Sequence, residues 1–197
     1  MSEEIKETFI EVIESDENLA TPVDRKKMTG SMIEILPIPS AQSFCIKLGN
    51  TIEKCFNEYI VRMGVEIISD TMLDNRQADL YFEYNDDLYY FESKNNVNLD
   101  SEKSPAVSGK IFQMEKEVDI VGCLSFRAAT KKELSKWASG KLVSYLYGYN
   151  DFFEIFEDKL EKNEYNEILN CIGNVYKKML GAKWYQFTNG EEANEKK

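Results

Sequence analysis

The segment QADLYFEYNDDLYYFESKNN, residues 77–96, contains two stretches of alternating residue types separated by two turn-forming residues. Alternation of this kind is typical of β-strands, because successive side chains of a strand point to opposite faces. Asn85 and Asp86 suit a tight turn between two antiparallel strands. The segment therefore predicts a β-hairpin in which Tyr84 pairs with Asp87. This pairing constrains the fold strongly, since a slip of one residue would turn a strand's side chains to the wrong face.

Three charged residues lie in this hairpin among tyrosines and phenylalanines. Counting outward from the turn places Asp79 opposite Glu92, and Lys94 follows on the same face as Glu92. Opposed carboxylates repel each other, whereas a divalent cation between them would reverse the sign of the interaction. Because Mg²⁺ takes one or two protein carboxylates together with water and substrate phosphate, the hairpin predicts a magnesium site beside a lysine. The alternative is a cross-strand surface salt bridge between Asp79 and Lys94.

The residues around the hairpin predict one helix before it and a helix and a strand after it. Apolar residues recur at three- and four-residue spacing from about Ser43 to Met63, which predicts a helix that ends at Gly64. After the hairpin, Ser104-Pro105 resembles a helix start, and we expect that helix to run to about Glu117. The mostly apolar stretch 118–126 then predicts a buried strand.

Further elements are predicted at both ends of the chain. A helix is expected over 3–15 and a strand over 65–69, and Thr130-Lys131-Lys132-Glu133 is a capping box for a helix to about Tyr147, before Gly148. Two more helices are expected near 151–162 and 164–180, the second capped by Gly181. This order predicts an α/β fold around a small mixed β-sheet flanked by helices.

The length of 197 residues predicts a single domain, 1–197. We expect its core at about 43–126, a helical C-terminal part at about 130–181, and a disordered tail at 189–197. No apolar run approaches the roughly 20 residues of a membrane span, and the acidic N-terminus has no signal-peptide core. We therefore expect no membrane partner. The four cysteines form no C-x-x-C pair, which argues against a zinc site and against disulfides and predicts a reducing, cytoplasmic compartment.

The chain contains no histidine. This excludes Ser-His-Asp hydrolysis, histidine-ligated metal sites and every nuclease that uses histidine as its base. Any catalysis has to use carboxylates, lysine, tyrosine or cysteine. The net charge of −11 disfavours nucleic acid as a partner, but basic residues outnumber acidic ones by eight to four between 103 and 141.

Asp79, followed after twelve intervening residues by Glu92-Ser93-Lys94, resembles the core motif of the PD-(D/E)XK nuclease superfamily. Ala78 stands where the family usually has proline. The stretch LGNTIEKCFNEYIVRMG fits as well, because Glu53 lies on the helix that precedes the hairpin, where these nucleases often carry a glutamate. The stretch ESKNNVNLDSEKS is similar to the segment after the active site in some small type II restriction endonucleases.

The resemblance implies a restriction-endonuclease-like core and Mg²⁺-dependent cleavage of double-stranded DNA at specific sites, which leaves 5′-phosphate ends. It also implies a homodimer. Asp79, Glu92 and Ser93 would be metal ligands, Lys94 the catalytic lysine and Glu53 an auxiliary catalytic acid. The alternative for Glu53 is an ordinary solvated charge on a helix.

Lys103, Lys110 and Lys116 follow the hairpin and are candidates for contacts with the DNA backbone. Two alternatives remain open at this point. One is a structure-specific or non-specific repair or defence nuclease of the same fold. The other is a non-catalytic interaction protein, in which the hairpin is a surface feature and its aromatic residues belong to the core.

Overall fold

The computed structural model describes residues 2–21, 38–68, 78–94, 103–136 and 142–180. Seven helices lie in these ranges: α1 (Ser2–Ser15), α2 (Glu17–Ala20), α3 (Ile38–Arg62), α4 (Lys103–Met114), α5 (Lys131–Leu134), α6 (Tyr149–Phe153) and α7 (Lys162–Leu180). The strands there are β1 (Leu80–Tyr84), β2 (Asp87–Ser93), β3 (Ile120–Ser125) and β4 (Leu146–Gly148). Short 3-10 turns span Val143–Tyr145 and Glu154–Phe156.

The strands form one mixed sheet in the order β1-β2-β3-β4. β1 is antiparallel to β2, whereas β2 and β3, and β3 and β4, are parallel. Parallel neighbours need a crossover connection, and α4 lies in the one between β2 and β3. Helices flank the sheet, so the predicted α/β class with a small mixed sheet is confirmed. Within the described ranges, no helix is both long enough and apolar enough to cross a membrane.

The predicted hairpin is confirmed down to its register. Tyr84 pairs with Asp87 across the turn, and the two turn residues, Asn85 and Asp86, have φ angles of 53° and 68°. A two-residue hairpin turn with positive φ at both positions matches the right-handed twist of the strands. β1 begins at Leu80, so Asp79 directly precedes the strand.

The two faces of the sheet are covered by different helices. Phe91 and Leu124 belong to a large apolar cluster that also contains side chains of α1, α3, α6 and α7. Their strand neighbours Glu92 and Cys123 point to the opposite face, where apolar side chains of α4 form a smaller cluster with Cys123. Glu92 is therefore buried beneath α4, on the smaller and less aromatic side of the sheet.

The predicted helix from Thr130 to Tyr147 is wrong. Its capping box is present, since the Glu133 carboxylate accepts hydrogen bonds from the backbone and the hydroxyl of Thr130 at 3.0 and 3.2 Å. However, α5 ends at Leu134, and Leu146 pairs with Cys123 as part of β4. Parallel pairing with β3 outweighs the local helical pattern here. Residues 137–141 lie outside the described ranges.

Other elements differ in smaller ways from the expectation. In place of a strand at 65–69, Ile67 forms a single bridge to Phe82. The helix expected at 151–162 is α6 with the 3-10 turn after it, which ends at Glu157 in the left-handed region, at a φ of 57°. The helices expected at 3–15, 43–63, 104–117 and 164–180 correspond to α1, α3, α4 and α7, with shifted ends. The Gly181 cap and the tail 189–197 fall outside the described residues.

Candidate active site

Asp79 and Lys94 lie at the open end of the hairpin, just outside the paired strands. The Ser93 backbone N–H donates a hydrogen bond to Asp79 Oδ2 at 2.8 Å. The Asp79 side chain thus links the two chain segments just before Leu80, where β1 begins. On the other side of β2, the Lys94 backbone N–H donates to the carbonyl of Leu124 at 2.8 Å. These two bonds fix the chain on either side of Ser93, and thereby the directions in which Glu92 and Lys94 point.

The Lys94 ammonium is held by three oxygen atoms. Its Nζ lies 2.8 Å from Asp79 Oδ2, 3.2 Å from Glu92 Oε2 and 2.7 Å from the carbonyl oxygen of Ser93. The salt bridge between Asp79 and Lys94, an alternative from the sequence, is thus present. It is not a simple surface pair, because the side chains of Asp79, Glu92 and Lys94 are only 19%, 2% and 28% exposed. The bridge is one part of a half-buried cation site that also uses Glu92.

The second oxygen of Glu92 has its own partners. Glu92 Oε1 accepts hydrogen bonds from the Lys110 ammonium at 2.7 Å and from the Tyr90 hydroxyl at 2.5 Å. Burial acts to raise the pKa of the Glu92 carboxyl, but the Lys110 hydrogen bond and the Lys94 charge outweigh burial and lower this pKa. Glu92 is therefore a buried, fully paired carboxylate.

Lys94 is correspondingly a stable cation. Burial acts to lower the pKa of its ammonium, but the charge of Asp79, followed by that of Glu92, outweighs burial and raises this pKa. In this arrangement Lys94 is suited to stabilise negative charge, and it is not suited to accept a proton from water.

Glu53 lies on α3 within electrostatic reach of the same carboxylates. Burial, followed by the charge of Asp79, raises the pKa of Glu53 to about 7, although the charge of Lys94 opposes both effects. One turn further along α3, the Asn57 amide donates a hydrogen bond to the backbone carbonyl of Asp79 at 3.3 Å. The helix thus brings Glu53 toward Asp79. The Glu53 side chain is partly buried, so it is not an ordinary solvated charge.

The thiol of Cys123 lies beside this group without taking part in its hydrogen bonds. Cys123 pairs with Glu92 across the parallel strands β2 and β3. Burial raises the pKa of the Cys123 thiol to about 12. A thiol of this kind stays protonated near neutral pH and is a poor nucleophile.

The oxygen atoms around Lys94 are suited to a magnesium ion. Within the described residues, no group of three or more Asp, Glu or Cys side chains is arranged to hold a metal. Two carboxylates and one backbone carbonyl nevertheless converge on Lys94 Nζ. Mg²⁺ needs few protein ligands, because water and substrate phosphate complete its shell. Asp79, Glu92 and Ser93 therefore fit this ion, provided that the Lys94 ammonium moves aside.

The three lysines predicted to contact DNA differ in their surroundings. Lys116 is exposed in the turn after α4. Lys103 begins α4, and its side chain lies outside the described set. Lys110 points inward to Glu92.

The hydrogen bond from Lys110 to Glu92 was not anticipated from the sequence, and neither was the role of Asn57. One signal for Lys110 was available. Lys110 lies at helical spacing on the same face as Val107, Ile111 and Met114, which are buried in α4. A lysine in an apolar stripe indicates a buried partner of opposite charge.

Comparisons of the chain with protein-family models, with curated proteins and with solved structures gave no match. The resemblance to the nuclease motif thus depends on the residues of the hairpin and of α3.

Proposed function

We propose that the chain is a Mg²⁺-dependent nuclease of the PD-(D/E)XK type, and more specifically a site-specific endonuclease that cleaves double-stranded DNA as a homodimer. The observation that carries this proposal is the convergence of Asp79 Oδ2, Glu92 Oε2 and the Ser93 carbonyl on one cation, Lys94 Nζ. Three oxygens at hydrogen-bond distance from one positive charge form a cation site. All three come from the residues that the resemblance assigns to the metal, Asp79, Glu92 and Ser93.

The order of the elements supports the same proposal. The hairpin β1-β2 carries both carboxylates, and α4 then leads to β3, which is parallel to β2. We infer that this hairpin, the crossover helix and β3 form a restriction-endonuclease-like core. The further step to a restriction enzyme, with a homodimer and a defined recognition sequence, rests on the resemblance of residues 92–104.

In the proposed reaction, a water oxygen bonds to the phosphorus atom and the bond to the 3′ oxygen breaks. The water gives up one proton and the 3′ oxygen takes one up, which leaves a 5′-phosphate and a 3′-hydroxyl. Asp79, Glu92 and the Ser93 carbonyl would hold Mg²⁺, which supplies water activation and charge neutralisation at the phosphoryl oxygens. Lys94, displaced from these oxygens, would remain close enough to stabilise the negative charge that develops on the phosphate. A lysine ammonium, whose usual pKa is about 10.4, carries near neutral pH the positive charge that this role needs.

Incubation of the purified protein with mixed-sequence duplex DNA and Mg²⁺ tests the proposal. Discrete fragments with 5′-phosphate ends are expected. A smear would instead indicate a non-specific or structure-specific nuclease of the same fold. No cleavage of any DNA with Mg²⁺ or Mn²⁺ would overturn the enzyme proposal and favour a non-catalytic interaction protein.

A pair of variants links cleavage to the site. Lys94→Met should lower the cleavage rate by about 100-fold or more while the protein still unfolds cooperatively, because loss of one charge-stabilising donor has effects of that order. Lys162→Met is the matched control, since Lys162 is exposed at the start of α7 and is not among the predicted DNA contacts. Equal cleavage rates for the two variants would show that the cleavage activity does not depend on this site.

A further inference from the structure

Lys110 is the least expected member of the site, because it comes from α4 and not from the hairpin. It lies on the buried side of that helix, next to Ile111, and its ammonium is 2.7 Å from Glu92 Oε1. Its side chain is 24% exposed and that of Glu92 is 2% exposed. A lysine held this far inside needs a partner, and a carboxylate this deeply buried needs one still more.

Lys110 and Lys94 bind different oxygens of the same carboxylate. Lys94 takes Oε2, on the side of Asp79, while Lys110 and the Tyr90 hydroxyl take Oε1. Movement of Lys94 out of the cation site would therefore leave Glu92 held in place from its other side. Lys110 can keep the carboxylate oriented while Oε2 exchanges one cation for another.

The charges of this group balance without any added ion. Two carboxylates, those of Asp79 and Glu92, face two ammonium groups, those of Lys94 and Lys110. A divalent cation that replaced Lys94 at the oxygens would meet a carboxylate pair already half neutralised by Lys110. The surplus positive charge would be offset when a phosphodiester, which carries one negative charge, binds at the same place.

We propose that Lys110 is a positioning residue that orients Glu92 and, as a resident counter-ion, makes binding of the divalent cation depend on the phosphodiester. This inference rests on the proposed function. Because coupling between two ligands is reciprocal, the metal would also strengthen nucleic-acid binding by the same factor. Removal of the Lys110 charge would thus raise the metal affinity, whereas removal of a metal ligand lowers it.

Titration with Mn²⁺, followed by the electron paramagnetic resonance signal of the free ion, tests this sign. It is carried out on the full chain, with and without a short mixed-sequence duplex. Removal of the charge in Lys110→Gln should raise the affinity for Mn²⁺ without DNA by about fivefold or more, and should reduce the coupling to DNA correspondingly. Lys110→Arg keeps the charge and should leave both quantities close to those of the original protein.

Two further variants make the test specific. Lys162→Gln removes an exposed charge at the start of α7, outside the predicted DNA contacts, and should leave the Mn²⁺ affinity unchanged. If Lys110→Gln does not fold, Lys110→Met, an uncharged side chain of similar length, takes its place in the titration. An unchanged or lowered Mn²⁺ affinity in the folded uncharged variant would overturn the inference.

Failure of this inference can be told apart from failure of the proposed function. If Asp79→Asn abolishes Mn²⁺ binding and Lys110→Gln leaves the Mn²⁺ affinity unchanged, the metal site is supported and the counter-ion role of Lys110 is wrong. A lower salt dependence of DNA binding in Lys110→Gln, at unchanged Mn²⁺ affinity, would make Lys110 a backbone contact instead and would overturn the inference. If the original protein binds no Mn²⁺ with or without DNA, both proposals are wrong.

Discussion

Asn57 on α3 donates a hydrogen bond through its side-chain amide to the backbone carbonyl of Asp79, at 3.3 Å. The same amide donates to the carbonyl of Glu53, one turn earlier on the helix, at 3.1 Å. A single side chain thus ties the helix to the residue that begins the hairpin. It acts on the main chain of Asp79, whose side chain binds Ser93 and Lys94.

Asn57→Ala should therefore weaken the site more than the fold. Loss of this hydrogen bond should lower the free energy of unfolding by about 1 kcal/mol, the usual net value of such a bond. We expect Mn²⁺ affinity to fall several-fold, because the Asp79 carboxylate is no longer anchored. Urea unfolding and the Mn²⁺ titration measure the two effects. Asn174→Ala, at an exposed position on α7, should change neither, and unaltered Mn²⁺ binding in Asn57→Ala would contradict the positioning role.

Glu53 should make the stability of the protein depend on pH in an unusual direction. Burial raises its pKa from 4.5 to about 7, so between these values the folded chain holds a proton that the unfolded chain has released. Stability should therefore fall as the pH rises from about 4.5 to 7. Because Glu53 is only half-buried, we expect the loss to be about 1–2 kcal/mol after allowance for solvent screening.

Urea unfolding of Glu53→Gln across this pH range isolates the effect. The variant should lack this part of the pH dependence and should be more stable than the original protein above pH 7, where the original carries the buried charge. Glu154→Gln, at an exposed position, is the matched control and should keep the original profile. Parallel stability profiles for Glu53→Gln and the original protein would show that Glu53 does not titrate differently in the folded state.

Gly122 on β3 should not tolerate a side chain. A Cβ atom there would lie 2.5 Å from a ring carbon of Tyr147 and 2.8 Å from the ring of Phe91. Gly122→Ala should lower the free energy of unfolding by about 1–3 kcal/mol, as overpacking of a filled core does. Gly173→Ala is a matched control in α7, where nothing lies within 4 Å of the added atom, and it should stabilise by about 0.5–1 kcal/mol. Thermal denaturation of both variants gives the comparison, and equal shifts would refute the packing argument.

The parts of the site that the sequence predicts are those governed by local rules. Alternation along two strands and a turn at Asn85-Asp86 determine the hairpin register, and the register brings Asp79 toward Glu92. Neither fact depends on the rest of the chain. The position of Lys94 follows in the same way from its distance along the strand.

The parts that could not be predicted depend on contacts between distant segments. Lys110 reaches Glu92 because α4 lies in the connection between the parallel strands β2 and β3 and packs on the face of the sheet to which Glu92 points. β4 has three residues, too few for a period to be visible, and Leu146 is in a strand because β3 lies beside it. The stretch 65–69 shows the converse, since its residues favour a strand, whereas its described part, 65–68, contains a single bridge, from Ile67 to Phe82.

Replacement of Asn150, a buried polar residue, should destabilise the protein strongly. Asn150 lies in α6, where its amide donates to the Leu160 carbonyl at 3.2 Å and its side-chain oxygen accepts from the Leu160 N–H at 2.8 Å. Asn150→Ala leaves both buried backbone groups without these partners, and each unsatisfied group costs about 1–3 kcal/mol. We therefore expect a loss of about 2–4 kcal/mol in the free energy of unfolding, measured in urea.

Asn170→Ala removes the same side chain from an exposed position on α7 and should change this free energy by less than about 0.5 kcal/mol. Because Asn150 joins α6 to the segment before α7 and does not contact the carboxylates, the folded Asn150→Ala protein should keep the original Mn²⁺ affinity. Similar losses in the two variants would show that the Leu160 backbone groups find other partners. A fall in Mn²⁺ affinity at full folding would show that α6 is coupled to the site.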